Sequence, residues 1–188
     1  MFFNLCKSNV IGSGCAKIAY QIDDENVILC SKQHLKSNDS YIQTEFQMIQ
    51  YLQSFDLPTI KDIEIVTVSH NKTGTSFGLL QKYIKDSFLL KPNSFPNIKL
   101  PKHILPILID TFTILKKHRI SIDDLQFIYN DNEMYIIDPA NIYNIDDTTH
   151  IGHQKYQNSH NQLHIRYINQ MRNLQKLIDF NKKEDFFG

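Results

Sequence analysis

Ile18, Tyr20 and Ile22 alternate with polar or small residues, which predicts a half-buried strand. Val10-Ile11 run into Gly12-Ser13-Gly14 ahead of it, and the unbroken apolar run Val27-Ile28-Leu29-Cys30 reads as a more buried strand after it. The polar turn Asp23-Asp24-Glu25-Asn26 separates the last two, so the three strands form an antiparallel meander. The period then changes. Phe46, Ile49, Leu52 and Phe55 recur at helical spacing behind the candidate N-caps Asn38, Asp39 and Ser40, and Pro58 closes that segment. The β-branched run from Ile63 to Val68 predicts a fourth strand, the loop from His70 to Thr75 contains Gly74, and Phe77, Leu79 and Leu80 begin a fifth.

The second half has another character. Lys91 to Pro101 carries three prolines and little periodicity, the mark of a connector. Ile104, Leu105, Leu108, Phe112 and Leu115 define one face of a helix over 104–117, with Pro106 in its tolerant first turn. The stretch from Ile120 to Tyr129, the tight turn Asn130-Asp131-Asn132-Glu133 and the strand Met134 to Ile137 form a hairpin that ends on Asp138-Pro139-Ala140. After a polar segment, Leu163, Ile168, Met171, Leu174 and Leu177-Ile178 give the buried stripe of a last helix. The pattern predicts an α+β chain, with a β-rich lobe over residues 1–84 and a reduced helical lobe over 85–188.

Composition narrows the chemistry. Lys+Arg and Asp+Glu number 20 each in 188 residues, with a pI of about 7.1, so a basic nucleic-acid-binding surface is not expected. No apolar run is long enough for a membrane helix, and Met1 to Leu5 is too soon interrupted for the core of a cleavable secretory signal. Cys6, Cys15 and Cys30 lack paired spacing, which argues against a disulfide framework or a zinc site and fits a reducing compartment. His150, His153, His160 and His164 read as surface histidines, since no cysteine or carboxylate pair joins them.

Three groups of residues remain. Gly12-Ser13-Gly14 lies between two strands, not between strand and helix, which excludes a dinucleotide fingerprint; no Gly-Lys-Ser/Thr follows, which excludes a Walker loop. Bare backbone in such a hairpin can still approach phosphate oxygens. Lys32, at the end of the buried strand, can pair with phosphate if Glu45 of the next helix steadies it. Asp123 and Asp124 head the late hairpin, Gln126 follows and Asp138 ends it; two carboxylate positions with an amide between them suit Mg²⁺, a hard ion that takes oxygen ligands.

The order of these parts resembles that of a protein kinase: Gly-rich hairpin, strand lysine, helix glutamate, connector, helix, acidic loop, hairpin, Asp. Cys30-Ser31-Lys32 resembles the lysine strand, Leu80-Gln81-Lys82-Tyr83-Ile84 the hinge that meets adenine, and Asp138-Pro139-Ala140 the Asp-Phe-Gly motif. The resemblance implies a bilobal kinase-like fold with MgATP between the lobes. Gly12, Ser13 and Gly14 would cover the phosphates, Lys32 held by Glu45 would pair with them, and Gln81 and Tyr83 would line the adenine side. Gln126 and Asp138 would hold Mg²⁺, and Asp123 or Asp124 would take the acceptor proton.

The chain departs from the pattern at several points. Lys17 stands at the third glycine, Ile120 follows His118-Arg119 where an Asp belongs, and no Ala-Pro-Glu follows Asp138. Among small kinases the chain is most similar to the HopBF type of bacterial effector, with the OspG type next. That likeness implies a protein kinase delivered into the host cell, expected as a monomer; the short segment after Asp138, without an evident phosphosite, predicts activity without activation-loop phosphorylation. Its acceptor would be Ser/Thr of the ninety-kilodalton heat-shock chaperone, with a ubiquitin-conjugating enzyme as the less favoured partner. Two other functions fit the same parts: a pseudokinase binding module, and an AMP-transferase or small-molecule kinase.

Overall fold

The computed structural model describes residues 1–13, 17–32, 40–70, 74–93, 97–139, 141–146 and 160–187. The protein is mixed α+β and divides into two units, residues 1–50 with 60–85, and 51–59 with 86–188. The expected boundary after residue 84 lies one position from the observed break at Lys85. The segment Tyr51–Thr59, expected with the first lobe, belongs to the second unit.

The first unit is built on one sheet. Its strands are β1 (Phe2–Asn4), β2 (Asn9–Ser13), β3 (Lys17–Gln21), β4 (Asn26–Ser31), β5 (Glu64–His70) and β6 (Gly74–Lys82), in the spatial order β1-β5-β6-β4-β3-β2. The meander β2-β3-β4 is antiparallel as expected, with a register shift between Val10 and Gly12. Its second turn is fixed by Asp23, whose Oδ1 accepts the backbone N–H groups of Glu25 and Asn26, each at 2.8 Å. Hydrogen bonds from the Asn26 side chain, then from the Glu25 backbone, hold the Asp23 carboxyl below its ordinary pKa. The three-residue β1, which pairs parallel with β5, was too short to show a period.

Alternation along the strands sorts this sheet into two faces. Ile28, Cys30, Val66 and Val68 pack with Leu5 on one face, and Phe3, Tyr20, Ile22 and Leu80 join them. Leu79 lies on the other face with Ile42 and Ile49 of helix α1 (Ser40–Gln53), and Leu29, Phe46, Ile63 and Phe77 pack against them. Burial pushes the Cys30 thiol up to about 12. It also raises the Tyr20 hydroxyl, with a smaller contribution from Cys30. Gly78 of β6 allows the close packing here: a Cβ at that position would lie 2.6 Å from Ile28 Cγ2 and 3.1 Å from Val68 Cγ1.

The second unit uses short strands and long helices. β7 (Phe88–Leu90), β9 (Gln126–Tyr129) and β10 (Met134–Ile137) form an antiparallel sheet in the order β10-β9-β7. β8 (Ile120–Ile122) pairs with β11 (Ile142–Asn144). Helix α2 (Ile104–Lys117) buries Ile104, Leu105, Leu108, Thr111 and Leu115. Helix α3 (His160–Phe187) buries Leu163, Leu174, Leu177 and Ile178, and with them two amides, Gln170 and Asn181. Of the predicted stripe of α3, Ile168 is exposed.

Those amides act as clamps. Gln170 accepts from Ile122 N–H at 2.8 Å and donates to Ile120 C=O at 3.2 Å. Asn181 accepts from Leu100 N–H at 2.7 Å and donates to Ile98 C=O at 3.0 Å. Each thereby satisfies backbone groups that burial would otherwise strand. No helix of the described residues is long and apolar enough to cross a membrane.

Candidate functional site

In the first unit the central contact is an ion pair. Lys17 Nζ lies 2.6 Å from Glu45 Oε1, and the two side chains are only 11% and 6% exposed. The expected partner of Glu45 was Lys32, and strand parity explains the correction. Lys17 pairs across the sheet with Ser31, Ile18 with Cys30 and Ala19 with Leu29. Leu29 belongs to the α1 face, so Ser31 and Lys17 face that side too. Lys32 is one residue further on, in the parity of Ile28 and Cys30, and it is an exposed turn residue after β4 has ended. The signal was present in the sequence: Lys17 alternates with Ile18, Tyr20 and Ile22, the residues of the other face.

The Gly-rich hairpin is described in part. Gly12 and Ser13 are exposed residues of β2, while Gly14 lies outside the described residues. A Cβ on Gly12 would meet only Ala19 Cβ at an ordinary 3.8 Å, so packing does not demand glycine there. On the expected hinge, Gln81 is half-buried in register with Val27, and Tyr83 donates its backbone N–H to Glu25 C=O at 2.7 Å. That donor is therefore already engaged.

In the second unit the acidic residues are gathered by the two short sheets. The stretch from Ile120 to Tyr129 is interrupted after Ile122, and Asp124 takes a left-handed φ of 50°. Aspartate tolerates that region better than most residues, and short polar side chains there close tight turns. Gln126 opens β9 and is buried; its Nε2 donates to Asp124 Oδ2 at 2.5 Å. β10 returns antiparallel, with Ile137 in register with Gln126, which brings Asp138 to the same end of the hairpin as Asp124 and Gln126. Asp138 also has a left-handed φ, 51°.

Asp123 is differently placed. Its Oδ1 accepts from Arg166 Nη1 of α3 at 2.6 Å, and its Oδ2 accepts from the hydroxyl of buried Tyr143 at 2.9 Å. Its backbone N–H donates to Asn141 C=O at 2.9 Å. Neither Arg166 nor Tyr143 was singled out in the sequence, because each lies far along the chain from the aspartate it meets. Gln170 was missed for the same reason.

Asp124, Gln126 and Asp138 offer oxygen ligands only, as Mg²⁺ requires. No cluster of three or more His, Cys, Asp or Glu able to hold a metal by itself occurs among the described residues. His150 and His153 lie outside the described residues.

No protein-family profile matches this chain. No curated protein matches it either.

Proposed function

We propose that this protein is a small MgATP-dependent protein kinase of bilobal kinase-like fold. The observation that carries the reading is the buried Lys17–Glu45 ion pair. A lysine–glutamate pair between sheet and helix is a required part of kinase sites, where it sets the cation that meets the nucleotide's phosphates. Such a pair is costly to desolvate and is weak evidence for stability, so its presence in the interior supports a use of the lysine's charge. In this chain the lysine comes from β3, one strand before the position that the family pattern gives it.

Lys17, steadied by Glu45, would neutralise charge on the phosphates. Asp138 and Gln126 would hold Mg²⁺, whose chemistry when bound is to offset the charge of the β- and γ-phosphoryl oxygens. One of the two loop aspartates would orient the acceptor hydroxyl. Little covalent chemistry falls to the protein, and positioning with charge complementarity supplies the rate. By its resemblance to the HopBF effectors, the acceptor would be Ser/Thr of a host protein, the heat-shock chaperone first.

The test is transfer from γ-labelled ATP, with Mg²⁺, to proteins of a eukaryotic lysate. Wild type should label a discrete acceptor, and Asp138→Asn should lose the labelling. Equal labelling by both would remove the metal assignment. A product carrying AMP would instead establish nucleotidyl transfer. An unlabelled lysate with a Mg²⁺- and ATP-dependent rise in Tm would favour a nucleotide-binding module without catalysis.

A further inference from the structure

We propose that Asp124 receives the acceptor proton, and that Asp123 is a positioning residue held by Arg166 and Tyr143. The inference rests on the kinase reading above and deepens it. A carboxylate that takes a proton from an incoming hydroxyl needs a reachable oxygen. Asp123 has both oxygens engaged, one by the Arg166 guanidinium and one by the Tyr143 hydroxyl, and its side chain is only 17% exposed. Asp124 is exposed and, among the described residues, is held through Oδ2 alone by Gln126.

The contacts of Asp123 explain what it does instead. They join the loop to two places: α3 through Arg166, and β11 with its approach through Tyr143 and Asn141. The preceding strand is gripped by Gln170, one helical turn beyond Arg166 on α3. Arg166 and Gln170 therefore fix consecutive parts of the segment that presents Asp124 in its left-handed conformation. A charge-assisted hydrogen bond of this kind is among the stronger side-chain contacts.

In the transfer step, the acceptor O–H bond breaks and its proton passes to the Asp124 carboxylate. The acceptor oxygen bonds to the γ-phosphorus, the bond from that phosphorus to the bridging oxygen breaks, and its electron pair leaves on ADP. Atoms and charge balance with ATP as the only co-substrate.

The experiment compares Asp124→Asn, Asp123→Asn, Arg166→Met and Arg166→Lys in thermal melts and in steady-state phosphoryl transfer. Asp124→Asn should keep the wild-type Tm and lose roughly 10²–10⁴-fold in kcat with KM for ATP unchanged. Asp123→Asn and Arg166→Met should each lower Tm by about 3 °C or more. They should lower kcat roughly tenfold or more, less than Asp124→Asn does, and Arg166→Lys should recover part of both losses. Loss of transfer in Asp123→Asn at wild-type Tm, with Asp124→Asn active, would overturn the assignment. Unchanged melting in both Asp123→Asn and Arg166→Met would overturn the positioning role whether or not the enzyme turns over. A folded wild type that transfers no phosphate would overturn the kinase reading and the proton assignment together. The melting series would then still decide whether Asp123 is an anchor.

Discussion

The two units hold their chemical groups in place by different means. In the first, a backbone ladder does it: the register of β3 on β4 decides that Lys17 faces α1 and that Lys32 does not. In the second, the strands carrying Asp123, Gln126 and Asp138 are three or four residues long, too short to fix themselves. Side chains of α3 fix them instead, through Gln170 on β8 and Arg166 on Asp123. A site residue in the first unit can thus be inferred by counting along a strand. In the second it depends on a helix that arrives some 40 residues later.

The sharpest way to break this contrast is to exchange the lysines. Lys17→Met should lower phosphoryl transfer about 10²–10³-fold, the scale for losing one preorganised charge, while Lys32→Met should stay within a few-fold of wild type. A reversed result would return the role to Lys32. Lys17→Met leaves Glu45 buried without this cation, so the double variant Lys17→Met/Glu45→Met serves as the folding control. Replacing a buried ion pair by apolar side chains is often neutral or stabilising, so it should melt no lower than wild type and remain inactive.

The clamp on β8 gives the next largest effect. Gln170→Ala strands the Ile122 N–H and the Ile120 C=O in the interior, and should cost about 2–4 kcal/mol in urea unfolding. Overpacking the sheet should cost less: Gly78→Ala drives a methyl group onto Ile28 and Val68, for about 1–3 kcal/mol. A smaller loss in Gln170→Ala than in Gly78→Ala would show that the short strands hold their own places.

The mildest test uses pH. The Cys30 thiol has its folded pKa raised from 9.0 to about 12 by burial, so above pH 9 the unfolded chain gives up a proton that the folded chain keeps. Stability from this group is complete below pH 9 and declines as pH climbs towards 12. Tm measured across that window should fall, and Cys30→Ala should flatten the slope.

Local periodicity made most elements legible. The meander, α1, α2, the late hairpin and α3 all announce themselves in runs of apolar residues at spacing two or near four. The three-residue strands β1, β7 and β11 do not, because three residues carry no period. Glu45 could be singled out as an acidic residue on an amphipathic helix, and Asp138 as a carboxylate delivered by a buried strand. The expectation that Lys32 would meet Glu45 rested on position along the strand, whereas side-chain parity turns Lys17 towards α1. Arg166 and Tyr143 carried no local signal, since what makes them relevant is the path of the chain between them and Asp123.

The dependence of the acidic loop on α3 also bears on the order of events during synthesis. When Asn144 leaves the ribosome, Lys17, Glu45, Asp123 and Asp124 have all emerged, yet the Arg166 and Gln170 that anchor the loop are still enclosed. A nascent chain paused at that point would have its lysine–glutamate pair within reach and its acidic loop still unmoored. The acidic loop would therefore take its final form late, as α3 docks, and not progressively as each motif emerges.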